Sequence, residues 1–191
     1  MNFYEFFLQS LPRLLEGLSI TLQLTILSLI FAIIVGMISC FCKISTIKPL
    51  NWIATIYLSV IRGTPLMVQA YFLYFGIASA LKIQIPSFWA SIIVLTLNAG
   101  AYLSEIFRSG ISAVNKGQME AARSLGLPYH VAMSKVIIPQ AIRIVIPSVV
   151  NQFIITLKDT SIISVIGVGE LMREGTLIAN RTFRGFETYG M

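Results

Sequence analysis

From Gly17 to Phe41 the chain is one near-continuous apolar run. A helix rises 1.5 Å per residue, so this run exceeds the roughly 30 Å of bilayer hydrocarbon and spans it with tilt. Of 191 residues, 56% are hydrophobic and only 12% are charged, against about 25% charged in an ordinary soluble domain. The sequence is therefore read as an all-α integral membrane protein, a single transmembrane domain over residues 1–191.

The other apolar blocks follow in order. Phe3, Tyr4, Phe6 and Phe7 give residues 1–16 the character of an interfacial anchor. Thr21, Gln23, Thr25 and Ser28 lie in the first half of the first span and are expected to face other helices, because a polar group in hydrocarbon wants a partner. Pro49 to Ile61 is apolar again but ends on Arg62, which is costly at mid-membrane. That block is placed at the interface. The second span then runs from Pro65 to Leu81, with Thr64 as helix N-cap and Pro65 in the first turn. A third span covers Ser87 to Phe107, with Asn98, Gly100 and Tyr102 turned into the bundle. Glu105 and Arg108 share a helix face at its end and can pair. A fourth span runs from about Ile144 to Ile166 and stops at Gly167-Val168-Gly169-Glu170. Leu171 to Arg184 reads as an external helix and loop.

Between the third and fourth spans lies a stretch that is not lipid-like, Lys116 to Pro139. Gln118 to Leu125 is predicted to form a short helix, polar on one side. Gly126 can stop it in a left-handed conformation, having no Cβ to clash. Pro128 can open a second short helix, where its missing N–H costs nothing. Two short helices joined by a sharp bend, held between spans and outside the bilayer, would suit the transmission of force from a partner.

This stretch also resembles a family signature. Glu120-Ala121-Ala122, three residues, Gly126, nine residues and Val136-Ile137-Ile138-Pro139 match the EAA loop of ABC importer permeases, with Val136 and Ile138 replacing an Ile and a Leu. The strings Arg62-Gly63-Thr64-Pro65-Leu66, Ala101 to Arg108 and Leu157-Lys158-Asp159-Thr160-Ser161 look like the branch that takes up polar amino acids. The resemblance implies the type I importer permease bundle, with four spans present here. Arg181 to Met191 looks like the run into the family's fifth span, which this chain lacks. A fragment or an incomplete chain is the resulting expectation.

In such a family the loop over 116–139 is cytosolic and docks into a cleft on an ATPase subunit. Carried onto this sequence, Gly117, Glu120, Ala121, Ala122, Arg123 and Gly126 form the coupling surface. Glu120 and Arg123 would position the short helix, Ala121 and Ala122 would allow close packing, and Gly126 would make the bend. The implied partners are ABC ATPase subunits, a second permease chain (identical or related) and an extracytoplasmic solute-binding protein or domain. The implied cargo is a polar amino acid.

The fourth span also carries polar groups. Asn151, Thr156, Lys158 and Asp159 interrupt an otherwise apolar helix. Lys158 and Asp159 are adjacent, do not share a face, and each needs a partner on another helix, water or a substrate. They are candidates for the translocation path, with a polar lock between helices as the competing reading.

Orientation follows from basic residues. With the central loop in the cytosol and the N-terminus outside, eight of the 14 Lys and Arg fall on inner segments and six elsewhere, the expected sign for a bacterial inner-membrane protein. Other functions find little support. No Walker A loop is present, so ATP must bind elsewhere. The single histidine, His130, and the neighbouring Cys40 and Cys42 make no metal set or nucleophile pair, so neither catalytic residue nor cofactor is expected. No basic run with interleaved aromatics points to nucleic acid. A secondary transporter would need an inverted repeat, and the halves show none.

Overall fold

The computed structural model describes residues 2–191, and every regular element among them is a helix. In chain order these are α1 (Phe3–Ile44), α2 (Lys48–Gly63), α3 (Leu66–Leu81), α4 (Ser87–Ala113), α5 (Lys116–Ser124), α6 (Tyr129–Ile166), α7 (Leu171–Thr182) and α8 (Gly185–Tyr189). Of the described helices, α1, α4 and α6 are each long and apolar enough to cross a membrane. Helices α2 and α3 qualify only as a pair, interrupted at Thr64–Pro65.

The second span expected over Pro65 to Leu81 is helical as α3, but it meets the length and hydropathy needed to cross only together with α2, as a broken span or a re-entrant pair. Alone, α3 reaches about 24 Å, short of the roughly 30 Å of hydrocarbon. Pro65 stands at the N-cap, with φ −63° and ψ 139°, one step before its expected place in the first turn. The Thr64 hydroxyl does not cap the helix; Gln69 Nε2 donates back to the Thr64 carbonyl and hydroxyl, both at 3.0 Å.

Two more helices run longer than their apolar blocks. The aromatic lead is continuous with the first span, and α1 passes through Pro12 without ending. A single proline early in a long helix deletes one hydrogen bond without supplying a stop residue. The second short helix expected at Pro128 is instead the first turn of α6. Pro139 cannot donate to a carbonyl four residues back, and the backbone widens into a π-turn over Met133–Ile137 just before it. The helix continues into the fourth span where a break was expected.

The chain forms two compact units, whose boundaries fall inside α1, α4 and α6 and after Gly63. One takes the chain up to Ile30, Thr64–Thr96 and Ile155–Met191. Its core gathers Leu24, Ala70, Ala90, Leu95, Ile163 and Ile166. Gly17 lets the turn after α6 approach closely; a Cβ there would lie 3.0 Å from Leu171 Cα. The Leu171 N–H donates to Thr21 Oγ1 at 3.1 Å. Glu170, fully buried, caps α7 by accepting from the N–H groups of Met172 (2.9 Å) and Arg173 (2.6 Å). Thr21, Thr25 and Ser28 are buried as expected, while Gln23 is exposed and donates to Ser19 Oγ. Phe6 is also buried, under the Arg184 guanidinium at 4.9 Å, whereas Phe3 and Tyr4 stay exposed.

The other unit takes Phe31–Gly63 and Leu97–Ile154. Small residues let its helices approach. A Cβ on Gly36 would sit 2.9 Å from Leu103 Cβ, and one on Gly100 would sit 3.0 Å from Val35 Cγ1. Close backbone approach at glycine is how helices gain dispersion contact in lipid, where burial from water cannot drive them together. Tyr57 OH donates to the Leu97 carbonyl at 2.6 Å and ties α2 to α4. Asn51 donates to the Lys43 carbonyl and closes the polar connection between α1 and α2.

Candidate coupling loop

The loop is built on a short helix with a defined start and stop. Asn115 caps α5, its Oδ1 accepting from the Gly117 N–H at 2.8 Å. At the other end Gly126 has φ +85°. Its N–H donates to the Arg123 carbonyl at 3.0 Å, and the Leu127 N–H donates to the Ala122 carbonyl at 3.2 Å. This pair of bonds is the Schellman motif, which satisfies carbonyls left over at a helix end and requires a left-handed residue. Arg123 Nη1 reinforces the bend by donating to the Leu127 carbonyl at 3.2 Å. Pro128, extended at ψ 152°, then starts α6.

The base of the loop is clasped. Val114, Ile137 and Ala141 form a small buried core, packed by Ile111, Met119, Met133 and Val136. Helices α4 and α6 close on one another at Gly110, where a Cβ would fall 2.1 Å from Val145 Cγ1. Gln140 Nε2 donates to Gln118 Oε1 at 3.3 Å across the clasp. The tip is the reverse: Leu125 is 83% exposed, and Tyr129 and His130 are exposed beside it. A bend rigid at its root and bare at its tip can carry displacement as a unit.

The six loop residues taken from the sequence are together on α5 and its stop, but they do not share a face. Gly117, Glu120, Ala121 and Arg123 are exposed, as is Gly126. Ala122 is 5% exposed and packs inward, so it braces the loop against its own chain. Leu125 was absent from the sequence-derived set. Its signal was available: a large apolar residue beside a glycine stop in a polar loop.

The polar residues of the fourth span divide across α6. Thr156 is buried and shares its face with buried Gln152 and Thr160, at intervals of four residues. Asn151 and Lys158 are exposed on the far side, and Asp159 is half-buried between the two faces. Neither Lys158 nor Asp159 forms an ion pair with another described residue. The structure does not gather Asn151, Thr156, Lys158 and Asp159 into one site.

Residues 28–187 match the family described as binding-protein-dependent transport system inner membrane component. The chain belongs to that family.

Among its relatives, the arginine transport system permease protein ArtQ of Bacillus subtilis is 45% identical over 93% of this chain and 81% of its own length. A putative glutamine transport system permease protein GlnP of Rickettsia felis is 36% identical over 96% of this chain and 85% of its own. The crystal structure of an amino acid ABC transporter with histidines superposes with TM-score 0.93 at 42% identity, covering 99% of this chain and 87% of that one. An inward-facing structure of the MetNI methionine ABC transporter, at 17% identity and TM-score 0.70, shares the fold. Membership makes this chain a multi-pass inner-membrane permease subunit of an ABC transporter and not an enzyme.

Proposed function

We propose that this chain is the permease of an ATP-driven importer that moves a polar amino acid into the bacterial cytoplasm, and that α5 with its Gly126 bend is the element an ATPase subunit drives. The observation that carries this reading is the loop itself: a capped helix, a Schellman stop and an exposed tip on a clasped base. Two relatives named for arginine and glutamine transport support a polar amino acid as cargo. The loop would face the cytosol and the N-terminus the exterior. A second permease chain and an external binding protein would complete the machine. ATP-driven closure of the ATPases would move the docked loops and switch the bundle from inward- to outward-facing, a rigid-body transition worked through a joint.

The test is uptake in proteoliposomes holding the permease, its ATPase and its binding protein. ATP-dependent accumulation of labelled arginine or glutamine is expected. Uptake that follows an ion gradient and ignores ATP would overturn the reading.

A further inference from the structure

The end of α2 carries an arrangement that the coupling loop does not use. Glu105 on α4 holds two arginines, one with each carboxylate oxygen. Arg108 Nε and Nη2 donate to Oε2 at 3.0 and 2.7 Å. Arg62 Nη1 faces Oε1 at 3.7 Å. The Arg62 guanidinium also lies over the Tyr102 ring, 5.6 Å from its centroid, within the roughly 6 Å at which a cation is drawn to an aromatic face. Tyr102, Glu105 and Arg108 recur at intervals of three residues, so they share one face of α4.

The two ion pairs differ in kind. Glu105–Arg108 lies within one helix and moves with it. It turns the carboxylate so that Oε1 is left for Arg62. Glu105–Arg62 joins two helices, is longer than a hydrogen bond, and is partly exposed on both sides, with side chains 21% and 43% accessible. Such a pair is weak and readily parted, as suits a contact that makes and breaks. Arg62 is the last residue before Gly63, where α2 ends and the chain breaks ahead of Pro65. In the other direction, α4 runs from Glu105 through Ile111 to Ala113, and Val114 just beyond it belongs to the buried core against which Met119 of the loop helix packs.

Resting on the reading of α5 as the driven element, we propose that Glu105 is a positioning residue for transport: it links the clasped loop, through α4, to Arg62 and the chain break after α2. A claim of this kind needs a measured coupling and not proximity alone.

The experiment uses the complete transporter in proteoliposomes and measures amino acid uptake and ATP hydrolysis side by side. Glu105→Gln and Arg62→Gln are each expected to lower uptake per ATP hydrolysed by about fivefold or more, with hydrolysis retained. The double variant is expected to be no worse than either single one, because both remove the same link. Arg62→Lys, which keeps the charge, is expected to recover most of the loss. If Glu105→Gln fails to fold, the exposed Arg62→Gln and Arg62→Lys carry the test. Unchanged uptake per ATP, losses that multiply in the double variant, or uptake and hydrolysis falling in parallel would overturn the positioning role. A wild-type transporter without ATP-dependent uptake would instead sink the coupling reading, and this proposal with it.

Discussion

The backbone N–H of Leu127 reaches the carbonyl of Ala122 at 3.2 Å, and the chain makes that return only because Gly126 between them has φ +85°. A side chain at Gly126 would meet nothing within 4 Å, so any cost of substitution there is conformational and not steric crowding. Left-handed backbone costs an L-residue roughly 1–2 kcal/mol, more for β-branched residues and less for asparagine. Gly126→Val should therefore abolish uptake while the protein still inserts and folds, and Gly126→Asn should retain most of it. Normal transport by the valine variant would remove the bend from the mechanism.

Gly110 predicts the opposite kind of defect. Its backbone conformation is ordinary, but a Cβ would stand 2.1 Å from Val145 Cγ1 and 3.3 Å from the Ala141 carbonyl. Overpacking of this sort costs about 1–3 kcal/mol. Gly110→Ala should lower thermal stability and transport together, by forcing α4 and α6 apart at the loop's base. Val145→Ala in the same chain should restore part of both. Failure of that rescue in a melting curve would mean the close approach is not what limits the clasp.

These two glycines show what could be read without coordinates. Gly126 was legible because a helix stop is written locally: a polar segment, a glycine, then a proline. Gly110 was not, since its role depends on Val145, which folding brings to it from another helix. The pairing of Glu105 with Arg108 was legible from spacing on one helix, whereas Arg62 joined it only in three dimensions. That the helix runs on through Pro139 is not written locally, for a related reason. Proline marks a lost hydrogen bond, but neighbouring turns decide whether the helix breaks or widens, as it does over Met133–Ile137.

Glu170 ties stability to pH. Burial raises its pKa above the ordinary carboxylate value, and the N–H groups of Met172 and Arg173 offset only part of that. A raised folded-state pKa means that the folded protein binds the proton more tightly than the unfolded chain does. The contribution is therefore fully present below the unfolded value and is lost as pH rises through the folded one. Glu170→Gln keeps an oxygen acceptor for the cap and should flatten this dependence in melts taken across that window. Glu170→Ala removes the cap and should cost about 0.5–2 kcal/mol at low pH, and less as pH rises through the raised pKa. An unchanged pH slope in the glutamine variant would assign the titration to other groups.

The faces of α6 separate a structural threonine from a candidate path residue. Thr156 is 1% exposed, so Thr156→Val should disturb the fold before it disturbs transport. Asp159 is half-buried beside exposed Lys158 and has no ion pair among the described residues. An ionisable residue kept inside a span at a cost of several kcal/mol calls for water, substrate or another subunit as its partner. If that partner is the moving amino acid, Asp159→Asn should lower uptake at least about tenfold, or 1.4 kcal/mol, with the melting temperature unchanged. A KM that rises for cationic substrates more than for neutral ones would assign the carboxylate to the side chain of the cargo. Wild-type uptake and stability in Asp159→Asn would take the residue off the path, and leave the buried face of Gln152, Thr156 and Thr160 as a lock between helices.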